Sequence, residues 1–170
     1  MGLWNFSASE VDILLYGLHK VKGISTGTFV TVTKDVVPFQ SARTTDGMVY
    51  RKYTNDQTFT IQLTLLAASP TNNLLTKLWL FDESTKMGKF PLLIKDGLGT
   101  SKFFSSTTWV EMPPPLSFSD DMETRTWLLR SSQAVINIGG SGDASLADDI
   151  ATLALSGMPL IKSVIDDITG

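Results

Sequence analysis

At 170 residues the chain suits one domain with a sizeable hydrophobic core. Apolar residues make up 42% and charged residues 18%, a composition that fits a folded protein and excludes general disorder. The net charge of −3 excludes a generally basic nucleic-acid binder, and the lack of cysteine excludes disulfides, thiolate metal sites and cysteine nucleophiles.

No basic stretch followed by an apolar run opens the sequence, so no signal peptide is expected. No run approaches ~18 apolar residues, so no spanning helix is expected. The expectation is a protein made and kept in a cytoplasm. Val11 to Val21 mixes apolar and polar residues without a clean period and reads as a strand or a lead-in segment. Gly23 to Gly27 is a turn, and the β-branched run Thr28 to Val32 is a strand. Thr33 to Asp56 reads as a long excursion that rejoins the sheet near Tyr50.

Thr58 to Phe81 is the clearest stretch. Phe59, Ile61, Leu63 and Leu65 alternate with Thr58, Thr60, Gln62 and Thr64, the period-2 pattern of a strand with an apolar and a hydroxyl-rich face. Ser69 then suits an N-cap and Pro70 a first helical position, where its missing N–H costs nothing. Leu74, Leu75, Leu78 and Phe81 follow at helical spacing, and Asp82 to Gly88 ends the helix.

Lys89 to Lys95 is a short strand in which Pro91 predicts an edge position or a strand start. Asp96-Gly97-Leu98-Gly99 is a turn, Ser101 to Met112 a strand, and Pro113 to Pro115 an extended stop. Thr124 to Ile138 is the last strand region, broken near Ser131-Ser132 and closed by Gly139 to Gly142.

Residues 143–170 differ in kind. Ile150, Leu153, Ala154, Ile161, Val164, Ile165 and Ile168 fall on helical spacing, divided by Met158-Pro159. Residues 1–140 carry 13 basic and 12 acidic residues, whereas 141–170 carry 1 and 5, which makes the tail an acidic amphipathic extension of charge −4. It packs either on its own domain or on a neighbouring subunit. Two parts follow: a β domain over 1–142 and a helical extension over 143–170.

Catalytic constellations are missing. His19, the lone histidine, lacks the neighbouring nucleophile and orienting group of a triad and reads as structural. Asp120-Asp121-Met122-Glu123 lacks the spaced oxygen ligands and central glycine of a calcium loop and reads as a solvated turn. The glycine-rich stretches at 96–99 and 139–142 are neither dinucleotide nor phosphate loops. Arg51-Lys52-Tyr53 is too short for a stacking platform, and Trp4, Trp79, Trp109 and Trp127 are dispersed, as packing residues would be. Catalytic residues, metal sites and cofactors are therefore expected to be none.

The order of these motifs resembles the tube proteins of phages with contractile tails. The threonine-alternating strand from Tyr53 runs into Ser69-Pro70-Thr71-Asn72. Pro91-Leu92-Leu93-Ile94-Lys95-Asp96-Gly97 follows, then Trp109-Val110-Glu111-Met112-Pro113, then Thr126-Trp127 through to Gly139-Gly140. The likeness covers roughly residues 20–140; the acidic tail is a departure.

The resemblance implies a mainly β fold with one short helix, an antiparallel β-sandwich or partial barrel that completes an inter-subunit β-barrel in a ring. It implies a virion structural protein, a tail tube subunit in stacked hexameric rings around a channel for DNA. It further implies assembly in the host cytoplasm and partners in the tail sheath, baseplate and tail terminator proteins, with no membrane role. Alternatives are a tube initiator or terminator, a secretion-system tube protein, or, from another class, a soluble β-sandwich binding module. Thr31, Thr33, Thr60, Gln62 and Thr64 are the expected channel-lining residues. Being uncharged, they would let DNA pass without the phosphate ion pairs that dominate DNA affinity. Arg43, Asp46, Met48, Tyr50, Arg51 and Lys52, on the long excursion, are the expected inter-ring or subunit contacts.

Overall fold

Strand-forming alternation dominates the chain, and the computed structural model, which describes residues 5–140, is mainly β with antiparallel sheets and one α-helix. The elements are a 3₁₀ turn (Ala8–Glu10), β1 (Val11–Leu15), β2 (His19–Lys20), β3 (Val30–Lys34), β4 (Phe39–Arg43), β5 (Val49–Tyr53), β6 (Phe59–Leu66), α1 (Thr71–Thr85), β7 (Phe90–Asp96), β8 (Lys102–Met112), β9 (Thr124–Ser131) and β10 (Val135–Asn137). They group into two units, one of residues 5–21, 90–106 and 135–140 and one of residues 22–89 and 107–134. Strand β8 gives its first half to the former and its second half to the latter. In neither unit do the described strands close into a barrel. The helical extension expected over 143–170 lies outside the described residues.

The larger unit is built on β6. Phe59, Ile61, Leu63 and Leu65 are buried and the residues between them are half-buried or exposed, as the alternation predicts. Each such side chain contributes roughly 1.5–3 kcal/mol by leaving water. Strand β6 pairs antiparallel with β3 on one side and with β9 on the other, and β9 continues to the second half of β8. Trp127 and Leu129 on β9 and Val110 on β8 complete the buried face.

After β6 the chain turns at Leu66 to Pro70 into α1. Pro70 already has helical dihedrals (φ −65°, ψ −20°), and the Ser69 hydroxyl accepts the Thr71 N–H at 3.3 Å, so Ser69 caps the helix as its residue type predicts. The Ser69 hydroxyl also donates to the Lys22 carbonyl. This brings Gly23 against the cap: a Cβ there would stand 2.7 Å from the Ser69 Cβ, and the backbone has φ +68°, so only glycine fits. The helix runs one turn beyond Phe81, to Thr85, and stops where Lys86 turns left-handed (φ 60°). Leu75 and Leu78 are buried, whereas Phe81 faces solvent at the extra turn.

Asn72 joins three elements. Its Nδ2 donates to the carbonyls of Leu66 (2.9 Å) and Ala67 (3.3 Å), and its Oδ1 accepts the Trp127 indole N–H at 2.9 Å. Both of its donors and one of its two acceptor sites are used inside the core.

The excursion from Thr33 to Asp56 does not rejoin the sheet near Tyr50. Strands β4 and β5 pair only with each other, in a two-stranded hairpin with Phe39 opposite Tyr53 and Arg43 opposite Val49. The reason is local closure: Thr44 N–H donates to Met48 O at 2.9 Å, Gly47 N–H to Thr44 O at 3.0 Å, and Gly47 takes φ +85°. Once that turn forms, the backbone groups that face inward on each strand are satisfied by the other.

In the smaller unit β1 pairs with β2 and with β7, and β10 pairs with the start of β8. Ile13, Leu15, Phe90, Leu92 and Phe103 are its buried apolar residues. Pro91 stands at the start of β7, which has strand neighbours on both sides, so of its two predicted placements the strand start holds. Gly97 donates to Glu10 O at 2.8 Å, a close approach that a side chain would block.

Candidate functional surfaces

The polar residues singled out on β3 and β6 share one face. Register sets Thr31 opposite Gln62 and Thr33 opposite Thr60, and cross-strand partners point the same way. Thr64 belongs to the same face by alternation along β6. Thr31, Thr33 and Gln62 are exposed, and Thr60 and Thr64 half-buried. The apolar core lies behind them.

The face extends further than the sequence reading placed it. On β9, Thr126 pairs with Thr64, Leu128 with Gln62 and Arg130 with Thr60. The Thr64 and Thr126 hydroxyls share a hydrogen bond at 3.1 Å. At its far end the face is charged. Arg130 Nε lies 3.8 Å from Asp35 Oδ2 and 3.8 Å from Glu111 Oε1. The Thr60 hydroxyl donates to Asp35 Oδ1, and the Trp109 indole N–H donates to Glu111 Oε2 at 2.8 Å. A bulge after Val110 is the reason Glu111 arrives there: the register moves from Val110–Leu129 to Met112–Leu128, which inserts one residue and re-aims its side chain.

The uncharged strip of Thr31, Thr33, Thr60, Gln62 and Thr64 therefore ends in one cation flanked by two carboxylates. The period-2 spacing of Thr124 and Thr126 in the closing strand was the signal that could have added β9 to the face. Nothing local could have joined Asp35, Glu111 and Arg130, which come from the bend after β3, from β8 and from β9.

At the foot of β6, Asp56 Oδ1 accepts the Thr58 hydroxyl (2.7 Å) and the Thr58 N–H (2.9 Å). These bonds, the hydroxyl first, hold the carboxyl below the ordinary carboxylate range by stabilising its charged form.

The six proposed contact residues, Arg43, Asp46, Met48, Tyr50, Arg51 and Lys52, all lie on the β4–β5 hairpin and all are exposed. They divide between its two sides. Tyr50 opposes Ala42 and Lys52 opposes Gln40 on one side; Arg43 opposes Val49 and Arg51 opposes Ser41 on the other. Asp46 and Met48 are in or beside the turn. On the Arg51 side, the Phe39 and Tyr53 rings pack at a 44° tilt with centroids 5.3 Å apart, and the guanidinium lies 4.6 Å from the Phe39 centroid. A lone two-stranded ribbon with Met48, Val49, Tyr50 and Tyr53 each more than half exposed is marginal in water unless something covers it.

Among the described residues no group of three or more His, Asp or Glu is placed to hold a metal ion, and no helix is long and apolar enough to cross a membrane. Asp120, Asp121 and Glu123 lie on the segment between β8 and β9, where the two aspartates are exposed. His19 sits half-buried on β2, and Trp127 is a core residue, while Trp4 is outside the described residues.

No family model matches the sequence. Structural protein ORF10 of Pseudomonas phage KPP10 is 28% identical over 142 residues, covering 81% of this chain and 82% of that protein. Three cryo-EM structures share the fold. The anti-feeding prophage tube-terminating cap has a TM-score of 0.51 at 13% identity, covering 81% of this chain and 93% of the cap. The sheath/tube terminator of an extracellular contractile injection system, PVC, has a TM-score of 0.53 at 13% identity, covering 80% and 99%. A chain of the PVC sheath–tube complex has a TM-score of 0.51 at 15% identity, covering 78% and 91%. The chain is thus similar in sequence to a phage structural protein and shares its fold with tube-associated proteins of contractile systems.

Proposed function

We propose that the chain is a virion structural protein of a contractile tail, forming a ring at the end of the tail tube as a terminator. Two of the three structural relatives above are a tube-terminating cap and a sheath/tube terminator, which supports the tube-end role over the tube body expected from sequence. The carrying observation is the two-faced sheet of the larger unit. Its back is apolar and buried, its front is hydroxyl-rich, and β3 has β6 as its one strand neighbour among the described residues. An edge of that kind is open to pairing with another copy, and a ring of copies leaves no edge exposed.

In this reading Thr31, Thr33, Thr60, Gln62 and Thr64 line the channel, and Arg130 is neutralised by Asp35 and Glu111, so no free cation grips passing DNA. Rings are homohexameric, contact the tube and the sheath, and let DNA through during ejection without specific binding. The protein works in the virion tail after assembly in the host cytoplasm, and its role is structural, not enzymatic.

Electron microscopy of the purified protein, alone and mixed with preformed tubes, is the test. Single rings that bind tube ends are expected of a terminator. Long self-assembled tubes would return the protein to the tube body, and a monomer that binds neither tube nor sheath would overturn the reading.

A further inference from the structure

The segment between β8 and β9, residues 113–123, has no place in the reading above. It reads PPPLSFSDDME, and its three prolines hold the start extended. Leu116, Phe118 and Met122 are 75%, 83% and 61% exposed, three large apolar side chains in seven residues left open among the described residues. The segment is tethered: Ala67 N–H donates to Glu123 O at 2.8 Å, the Ser117 hydroxyl to the Glu123 carboxylate, and the Ser119 hydroxyl to Asp121 O at 2.9 Å. These bonds shape it as a strap. It carries Asp120, Asp121 and Glu123 with no lysine or arginine, a charge of −3.

The β4–β5 hairpin has the opposite character. Between Phe39 and Tyr53 it holds Arg43, Arg51 and Lys52 against Asp46, a charge of +3 − 1 = +2. Its tyrosines 50 and 53 are 52% and 59% exposed. Strap and hairpin both stay open to solvent, so neither covers the other within one chain.

We propose that the acidic strap of one copy seats against the basic, aromatic hairpin of the next copy. Leu116 and Phe118 supply the apolar centre of the contact, against Val49 and Tyr53, and Asp120 and Asp121 pair at its rim with Arg43 and Arg51, which share that side of the hairpin. The two patches differ, so the contact is heterologous: each copy keeps one unused strap or hairpin, and the contact propagates until a ring or stack closes. A strap-to-strap contact would instead set −3 against −3. The inference rests on the assembly reading and gives the hairpin its counterpart.

The lack of cysteine makes a clean test possible. The full chain carrying both Phe118→Cys and Val49→Cys is oxidised at assembling concentration. A disulfide ladder extending beyond the dimer is expected, with each single variant stopping at dimers; a double variant that gives dimers only, or no product, overturns the contact. In a second arm, D120K/D121K and R43E/R51E should each cut assembly ~tenfold or more with unchanged circular dichroism, and the four changes in one chain should restore it. Unchanged assembly in either pair, or no rescue, overturns it. Wild-type rings in the microscope beside indifferent strap variants would sink the contact and leave the tube-end reading standing; wild-type protein that neither forms rings nor binds tubes would sink that reading itself.

Discussion

Asn72 Nδ2 holds two carbonyls at the end of β6 while its Oδ1 takes the Trp127 indole N–H. Asn72→Ala would strand buried polar groups with no water to replace it, and should lower unfolding free energy by about 2–3 kcal/mol in urea denaturation. Asn72→Asp keeps the acceptor for Trp127 and loses the donors, so it should also destabilise. At Asp56 the expectation is electrostatic. Its carboxyl is held low in the folded chain, so the stabilisation of the turn is complete above the ordinary carboxylate range and is lost as pH falls through the lowered folded value. Thr58→Val removes the larger of the two bonds. An NMR titration should then find the Asp56 carboxyl shifted upward, toward its ordinary value; an unchanged midpoint would refute the assigned cause.

At the scale of elements, the hairpin is separable and α1 is not. Thr54 N–H donates to Pro38 O at 2.9 Å, so the two chain ends beneath the hairpin are already adjacent. Replacing residues 39–53 by a short Gly-Ser linker should leave the monomer's stability within ~1 kcal/mol, because the hairpin contributes no buried apolar residue to the core. The same variant should fail to assemble with wild-type copies, as sedimentation would show. By contrast Leu75→Ala, in the buried stripe of α1, should cost about 2–5 kcal/mol by leaving a cavity. The helix start was legible because Ser69, Pro70 and the leucine spacing act within one or two turns. Its end was not, since the last turn depends on where Lys86 can turn left-handed and on Asp82 Oδ1 accepting the Gly88 N–H. The hairpin escaped sequence reading for a related reason. FQSAR and VYRKY have weak alternation and no buried face, so only their mutual pairing marks them as strands.

For the whole molecule, the prediction is a difference between free and assembled protein. Thr60→Cys and Gln62→Cys should react with a small maleimide in the monomer and, by access through the lumen, in assembled rings. A bulky maleimide should react with the monomer and be excluded from rings stacked on a tube. Protection of both sites from the small reagent in rings would show that this face is an interface and not a channel wall.

Period-2 alternation along β6, the cap at Ser69, and the punctuating glycines and prolines could all be read from sequence alone. Each depends on side chains within a few residues of one another. Tertiary structure alone decided that Thr126, Leu128 and Arg130 share the face of Thr60 to Thr64. It alone brought Asp35 and Glu111 to Arg130, tied Asn72 to Trp127, and set the long excursion apart as a hairpin. Those outcomes follow from strand register between segments up to some seventy residues apart. Register is chosen by which apolar faces can be buried together, a property of the packed sheet that no single strand contains.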